Sequence, residues 1–142
     1  MPVRILDRDD FDDALRLYRV LTRDPVPVSD NRAAFDAILQ HSGTCIIGME
    51  QDGQIIAMVT LHLIPNMTSG GRPYALIENV VTDTAHRGRG IGRAVMQNAL
   101  DRARTEGAYK VMLLTGDARG AVGFYEKMGF SRHEKHGLVV RF

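Results

Sequence analysis

The chain has 142 residues, a formal charge of +1 and 44% hydrophobic residues, enough for one globular domain with a real core and too little for two. A nearly balanced charge, with neither a long Lys/Arg run nor a basic stripe interleaved with aromatics, argues against a nucleic-acid platform and a basic membrane anchor. No basic segment followed by an apolar one opens the sequence, no apolar run approaches the roughly twenty residues that span a bilayer, and the lone Cys45 cannot close an internal disulfide, so a reducing, cytoplasmic setting is expected.

Residues 2–6 read as a first strand. Asp9 and Asp10 can cap a helix whose buried stripe is Phe11, Ala14, Leu15, Tyr18 and Leu21. After a break at Pro25 and Pro27, Ser29 can cap a second helix carrying Ala34, Phe35, Ile38 and Leu39 and ending near Gly43. Residues 44–51 and 54–64 are two strands joined by Asp52-Gly53, the strongest short hairpin signal. Cys45, in the first of them, reads as a small core residue. A loop over 65–73 containing Gly70-Gly71 leads to Leu76-Ile77-Glu78-Asn79-Val80-Val81-Thr82, dense in β-branched residues and therefore a strand. The next helix keeps Gly92, Val95, Met96, Ala99, Leu100 and Ala103 on one stripe and stops at Gly107. Residues 109–114 read as a strand, 119–128 as a helix, and 130–142 as a closing pair of strands turning at His136-Gly137. The order is β-α-α-β-β-β-α-β-α-β-β, an α/β arrangement in one domain over 1–142.

Arg87-Gly88-Arg89-Gly90-Ile91-Gly92 sits at the strand-to-helix turn that follows Thr82. Glycines there let the backbone bend sharply and approach a ligand closely, while the free N–H groups of the first helical turn point outward. The helix dipole, Arg87 and Arg89 all favour an anion. A Walker loop would need Gly-Lys-Ser or Gly-Lys-Thr, and a dinucleotide fingerprint would need one more residue before its last glycine.

The spacing Arg-x-x-Gly-x-Gly, matched by Arg87, Gly90 and Gly92, resembles the acetyl-CoA pyrophosphate loop of the GNAT N-acetyltransferase superfamily. About thirty residues on, Ala121-Val122-Gly123-Phe124-Tyr125-Glu126-Lys127-Met128-Gly129-Phe130 is similar to the same superfamily's next helix and following strand. The element order also resembles the full GNAT topology, a mixed sheet flanked by helices. The resemblance implies that the strands at 74–82 and 109–114 splay apart, so that pantetheine pairs with backbone groups of Val80, Val81 and Thr82. It implies that Arg87, Gly88, Arg89, Gly90, Ile91, Gly92 and Arg93 hold the pyrophosphate. Many members carry an asparagine seven residues before the tyrosine; here that position is Ala118, with Asp117 beside it, which leaves the usual pantetheine contact without its residue.

Forming an amide from a thioester needs a neutral amine, an acid for the departing thiolate and stabilisation of the oxyanion. Tyr125, matching the family tyrosine, has an intrinsic pKa of about 10 and suits the leaving sulfur; the alternative is a core aromatic beside Phe124. Glu78 is the only carboxylate in an otherwise apolar strand, where an unpaired charge is costly, so it reads as a general base acting through water or, structurally, as a salt bridge or backbone anchor. The resemblance makes the Val80 N–H the oxyanion donor. With Cys45 the only thiol and no base beside it, attack is direct, in a ternary complex.

Other features are weaker. His133 and His136 are three apart with no Cys or carboxylate cluster of metal-ligand type beside them, so no metal is expected. His62 alternates with core residues on its strand and is a candidate for the acceptor cleft. Ile77-Glu78-Asn79-Val80-Val81 looks most like the glucosamine-phosphate N-acetyltransferase branch, with Arg23 and Arg72 available for an anionic group on a small-molecule amine. Family habit suggests a homodimer. The rival function is a non-catalytic acyl-CoA-binding sensor or scaffold; it would need neither Glu78 nor Tyr125. A nucleotide-binding regulatory domain lacks any Mg²⁺ signature.

Overall fold

The computed structural model describes residues 2–116 and 119–142. It forms two compact units, Met1–Met112 and Leu113–Phe142. The first contains β1 (Val3–Ile5), α1 (Phe11–Leu21), α2 (Arg32–Gln40), β2 (Thr44–Gln51), β3 (Gln54–Ile64), a single distorted turn α3 (Thr68–Gly71), β4 (Tyr74–Thr82), α4 (Ile91–Thr105) and β5 (Val111–Met112). The five strands lie in the order β1-β2-β3-β4-β5. Successive pairs are antiparallel up to β4, and β5 joins β4 in parallel. This is the expected mixed sheet flanked by helices.

Both faces of the sheet are covered. Every residue of β3 from Ile55 to Leu61 is buried, a run that only a strand packed on both sides can sustain. On one face, α1 and α2 bring Phe11, Ala14, Leu17 and Phe35 against Leu6, Ile46, Ile55, Met58 and Val81, with Leu15, Tyr18, Leu21, Ile38 and Leu39 closing the edges. Phe11 and Phe35 meet edge-on at 5.5 Å. Ile91, Val95, Met96, Ala99 and Ala103 form the buried stripe of α4, which packs on β2, β3 and β4.

Several element ends differ from the sequence reading. Asn31, not Ser29, caps α2 by accepting from the Ala33 N–H at 2.9 Å; Ser29 instead accepts from Asn31 N–H. Ahead of α1, Asp7 and Asp10 form a reciprocal capping box around a 3-10 turn at Arg8–Asp10. The expected strand over 109–114 pairs only at Val111 and Met112.

The second unit contains α5 (Val122–Lys127). Residues 130–142 form no strand, contrary to the expected closing pair. Gly137 does mark a tight point, since a Cβ there would collide with the Leu114 side chain. Beyond it Leu138, Val139, Val140 and Phe142 are exposed. Their β-forming composition has no ladder among the described residues.

One polar cluster anchors the first unit. The Asp10 carboxylate is buried and receives both Arg4 terminal nitrogens at 2.8 Å and the Asp7 N–H at 2.8 Å, while Arg4 Nε donates to Glu50 at 2.7 Å. The Arg4 hydrogen bonds hold the Asp10 carboxyl below its ordinary range, against the opposing effect of burial. A depressed carboxyl stabilises the fold fully above the unfolded value of about 3.9 and loses that contribution as pH falls through the lower folded value. Asp10→Asn should therefore cost about 1–2 kcal/mol at pH 7, discounted for the partial exposure of Arg4. Urea unfolding between pH 7 and 2.5 should show a shallower acid loss in the variant than in the wild type.

Candidate active site

The site in the first unit is built on the far half of β4. Opposite β3, Thr60 pairs with Glu78 and Met58 with Val81, so Asn79 and Val80 together face the single residue Val59. This is a β-bulge, and Asn79 adopts φ 54° to make it; asparagine is among the few residues that enter the left-handed region readily. The bulge lifts the backbone at Asn79 and Val80 out of the β3 ladder. On its other side, β4 pairs with β5 only at Ala75 and Leu76, so the strand beyond that point has no β5 partner among the described residues. Of the backbone groups expected to meet pantetheine, the Thr82 carbonyl already accepts from Arg87 Nε at 3.3 Å.

Beyond Thr82 the chain is pinned before it reaches the glycine turn. Asp83 N–H donates to the Ile56 carbonyl at 2.8 Å, and the Asp83 carboxylate both caps Ala85 N–H at 3.0 Å and pairs with Arg16 of α1. The Ala85 N–H bond, followed by Arg16, holds this carboxyl below its usual range. Gly88 and Gly90 both have φ 75°. Gly90 is the N-cap of α4 and offers no side chain to close the helix end, so the N–H groups of the first turn face outward. A Cβ at either glycine would meet nothing within 4 Å. Arg89 and Arg93 are exposed there, and Ile91 is buried as the first rung of the α4 stripe. Open space, left-handed glycines, a free helix N-terminus and clustered arginines fit a pyrophosphate.

Glu78 is exposed, and its carboxylate makes no hydrogen bond or ion pair among the described residues. The expectation that burial forces a partner on this carboxylate does not apply, because the buried positions of β4 ahead of the bulge are Ala75 and Ile77, and Glu78 alternates to the other face. Glu78 lies in a row with Thr60 and Ile46 across three strands, and Ile46 belongs to the α1–α2 face. The adjacent row is Thr44, His62 and Leu76. Tyr18 reaches Thr60 with its hydroxyl, and burial raises its pKa. The face beside Glu78 is thus lined by Tyr18, Thr60, His62 and Thr44. Only His62 among them is a sequence candidate; Thr44 and Thr60 depend on cross-strand register and Tyr18 on how α1 packs over the sheet, neither of which periodicity contains.

Arg72 departs from its expected role. Its guanidinium donates to the Gly107 and Ala108 carbonyls, both at 3.0 Å, and so clamps the turn after α4. Arg23 is exposed in the loop after α1. Ala118 and Asp117 lie outside the described residues.

In the second unit Tyr125 packs edge-on against Phe124 at 5.1 Å and Phe130 at 6.0 Å. Burial pushes its phenol above the ordinary value, with Arg119 pulling the other way. The hydroxyl therefore stays protonated at neutral pH. Among the described residues no group of three or more His, Cys, Asp or Glu is arranged to hold a metal ion, and no helix is long and apolar enough to cross a membrane.

Comparison with known proteins agrees with this geometry. The acetyltransferase (GNAT) family model matches residues 11–130. The chain is 33% identical to the glucosamine 6-phosphate N-acetyltransferase of Trypanosoma brucei brucei, over 95% of this chain and 92% of the relative. The solved structure of an Agrobacterium tumefaciens str. C58 protein assigned as an acetyltransferase superposes with a TM-score of 0.93 at 40% identity, covering 100% of both chains. The glucosamine-6-phosphate N-acetyltransferase of Arabidopsis thaliana superposes with a TM-score of 0.84 at 25% identity, over 99% of this chain and 97% of that one. An acyl-CoA sensor is not favoured by these relatives. The chain belongs to the GNAT family of acetyltransferases, enzymes that move an acetyl group from acetyl-CoA to an amine.

Proposed function

We propose that the chain acts as one N-acetyltransferase domain on a small amine bearing a phosphate, of the glucosamine 6-phosphate class, in a direct ternary complex. The observation that carries this is the far half of β4, where a bulge frees the backbone at Val80, an exposed carboxylate stands at Glu78 and the strand runs into the uncapped α4. The acceptor class follows from the similarity to the Trypanosoma enzyme along nearly the whole chain.

In this reading acetyl-CoA rests its pyrophosphate on Gly88 to Arg93, with Arg87 bracing the turn. Glu78, through water, takes a proton from the acceptor ammonium. The freed amine attacks the thioester carbonyl, the Val80 N–H stabilises the resulting oxyanion, and Tyr125 protonates the departing thiolate and regains its proton from the attacking nitrogen as the amide forms. Arg23 is the side chain left to meet the acceptor's anion, since Arg72 is held by two carbonyls. A homodimer would cover the exposed Leu138, Val139, Val140 and Phe142, and light scattering in solution reads its mass directly. A cytoplasmic location is consistent with a single half-buried thiol.

A panel of amines scored by CoA release tests the acceptor. Glucosamine 6-phosphate should exceed glucosamine in kcat/KM by roughly tenfold to a hundredfold, the usual value of a charged hydrogen-bonded contact. Spermine emerging as the best acceptor would overturn the assignment.

A further inference from the structure

We propose that Thr44 joins His62 and His41 into a proton path that carries the acceptor's proton from the Glu78 face of the sheet to solvent; this rests on the reading that an amine is acetylated at that face. Thr44 Oγ1 lies 2.9 Å from Nδ1 of His62 and 2.9 Å from Nδ1 of His41. Thr44 and His62 are direct cross-strand partners on β2 and β3, one row from the Thr60–Glu78 pair. His62 is therefore a diagonal neighbour of Glu78, at the residue spacing of about 7–8 Å that long side chains span. The three groups grade outward, with Thr44 and His62 half-buried and His41, just past α2, exposed.

The chemistry of the hydroxyl makes this more than a pair of contacts. A threonine carries one proton, so to relay between two neutral imidazoles it accepts from one Nδ1–H and donates to the other Nδ1. The two rings are thereby held in opposite tautomers. Acetylating an ammonium releases one net proton, since R–NH₃⁺ and acetyl-CoA give the amide, CoA–SH and H⁺. When His62 gains that proton at Nε2, its Nδ1–H passes to Thr44 Oγ1 as the hydroxyl proton passes to Nδ1 of His41, which releases its own Nε2 proton to water. Each ring gains one N–H bond and loses one, the Thr44 hydroxyl is regenerated and no electrons are exchanged; the two tautomers end exchanged and return by proton exchange with water before the next turnover. Thr44 touches neither substrate in this scheme and is a positioning residue.

Other ionisable groups around the path are few. Glu78 and Tyr74 flank Leu76 on β4 and share the face of His62. Tyr18 approaches from α1 through Thr60, and on α2 Asp36 is paired with Arg8 at 3.1 Å. Cys45 alternates to the opposite face, toward Arg102 and Glu106.

The test compares Thr44→Val, which keeps the β-branched shape without the proton, with Thr44→Ser, which keeps the hydroxyl. Thr44→Val should lower kcat by roughly tenfold at pH values where the acceptor is an ammonium, with both KM values unchanged. The deficit should close at alkaline pH, where the amine arrives neutral, and Thr44→Ser should restore the wild-type profile. Imidazole nitrogen NMR of the wild type should show one ring protonated at Nδ1 and the other at Nε2, and Thr44→Val should remove that complementarity. A Thr44→Val enzyme with the wild-type pH profile, a loss equal at every pH, or two rings in the same tautomer in the wild type would overturn the path. Failure of the underlying reading looks different: the wild type itself would acetylate no amine.

Discussion

Tyr125→Phe is expected to lower kcat by about a hundredfold to ten-thousandfold while acetyl-CoA binds as before, a barrier increase of roughly 3 to 5 kcal/mol. The substitution keeps the edge-on ring contacts with Phe124 and Phe130, so a folding defect does not imitate the loss. Because burial raises the phenol's pKa, against a smaller opposing effect of Arg119, the acid form persists through neutral pH. The alkaline fall of kcat that Tyr125 controls should then lie above the ordinary phenol value of about 10. Glu78→Gln should act at the other end of the profile. It removes the proton acceptor but not the acid, so turnover should slow most where the acceptor is still an ammonium, and the acidic limb of kcat/KM should flatten. Stopped assays of CoA release across pH separate the two. A Tyr125→Phe enzyme with wild-type kcat would make the ring a packing element and leave the thiolate to water. A wild type inert toward every amine would return the sensor reading.

How far the sequence reaches is clearest at particular residues. The β2–β3 hairpin was legible because Asp52 and Gly53 both take positive φ, 51° and 79°, as their residue types favour. The α4 stripe was legible because a single face of that helix is buried. The closing strands were not: Leu138, Val139 and Val140 have strand composition, but a strand exists only with a ladder partner, and composition does not reveal whether an edge is available. Glu78 reads as a carboxylate under pressure from burial, yet it is exposed, out of phase with the buried Ala75 and Ile77. The bulge beside it has a single hint in the sequence, Asn79, a poor strand former that tolerates φ above zero. Arg72 reads as a free cation in the sequence, whereas its guanidinium is held by the Gly107 and Ala108 carbonyls. The turn-and-helix half of the site is local in sequence and was read correctly as a glycine turn entering a helix. The acceptor face, assembled across β2, β3 and β4, is non-local, and Thr44 and His41 entered only through register and distance.

Gly90→Val should raise the dissociation constant for acetyl-CoA by at least about a hundredfold, roughly 2.7 kcal/mol, in a protein that remains folded. Two effects must be separated. A β-branched residue at φ 75° is strained whatever its surroundings, at a cost of about 1–3 kcal/mol, which a domain of ordinary stability survives. The side chain also stands where a Cβ now meets nothing within 4 Å, on the approach to the free N–H groups of the α4 N-terminus. Gly107 supplies a matched control. It has φ 87° and equally open surroundings, but lies past the opposite end of the 15-residue helix, about 22 Å away along the axis. Gly107→Val should lose comparable stability in urea and keep its acetyl-CoA affinity by calorimetry. If both variants weaken binding alike, the loss is a general consequence of backbone strain; if a folded Gly90→Val protein binds acetyl-CoA undiminished, the turn does not hold the pyrophosphate. Only loss at Gly90 with retention at Gly107 places the anion on the glycine turn.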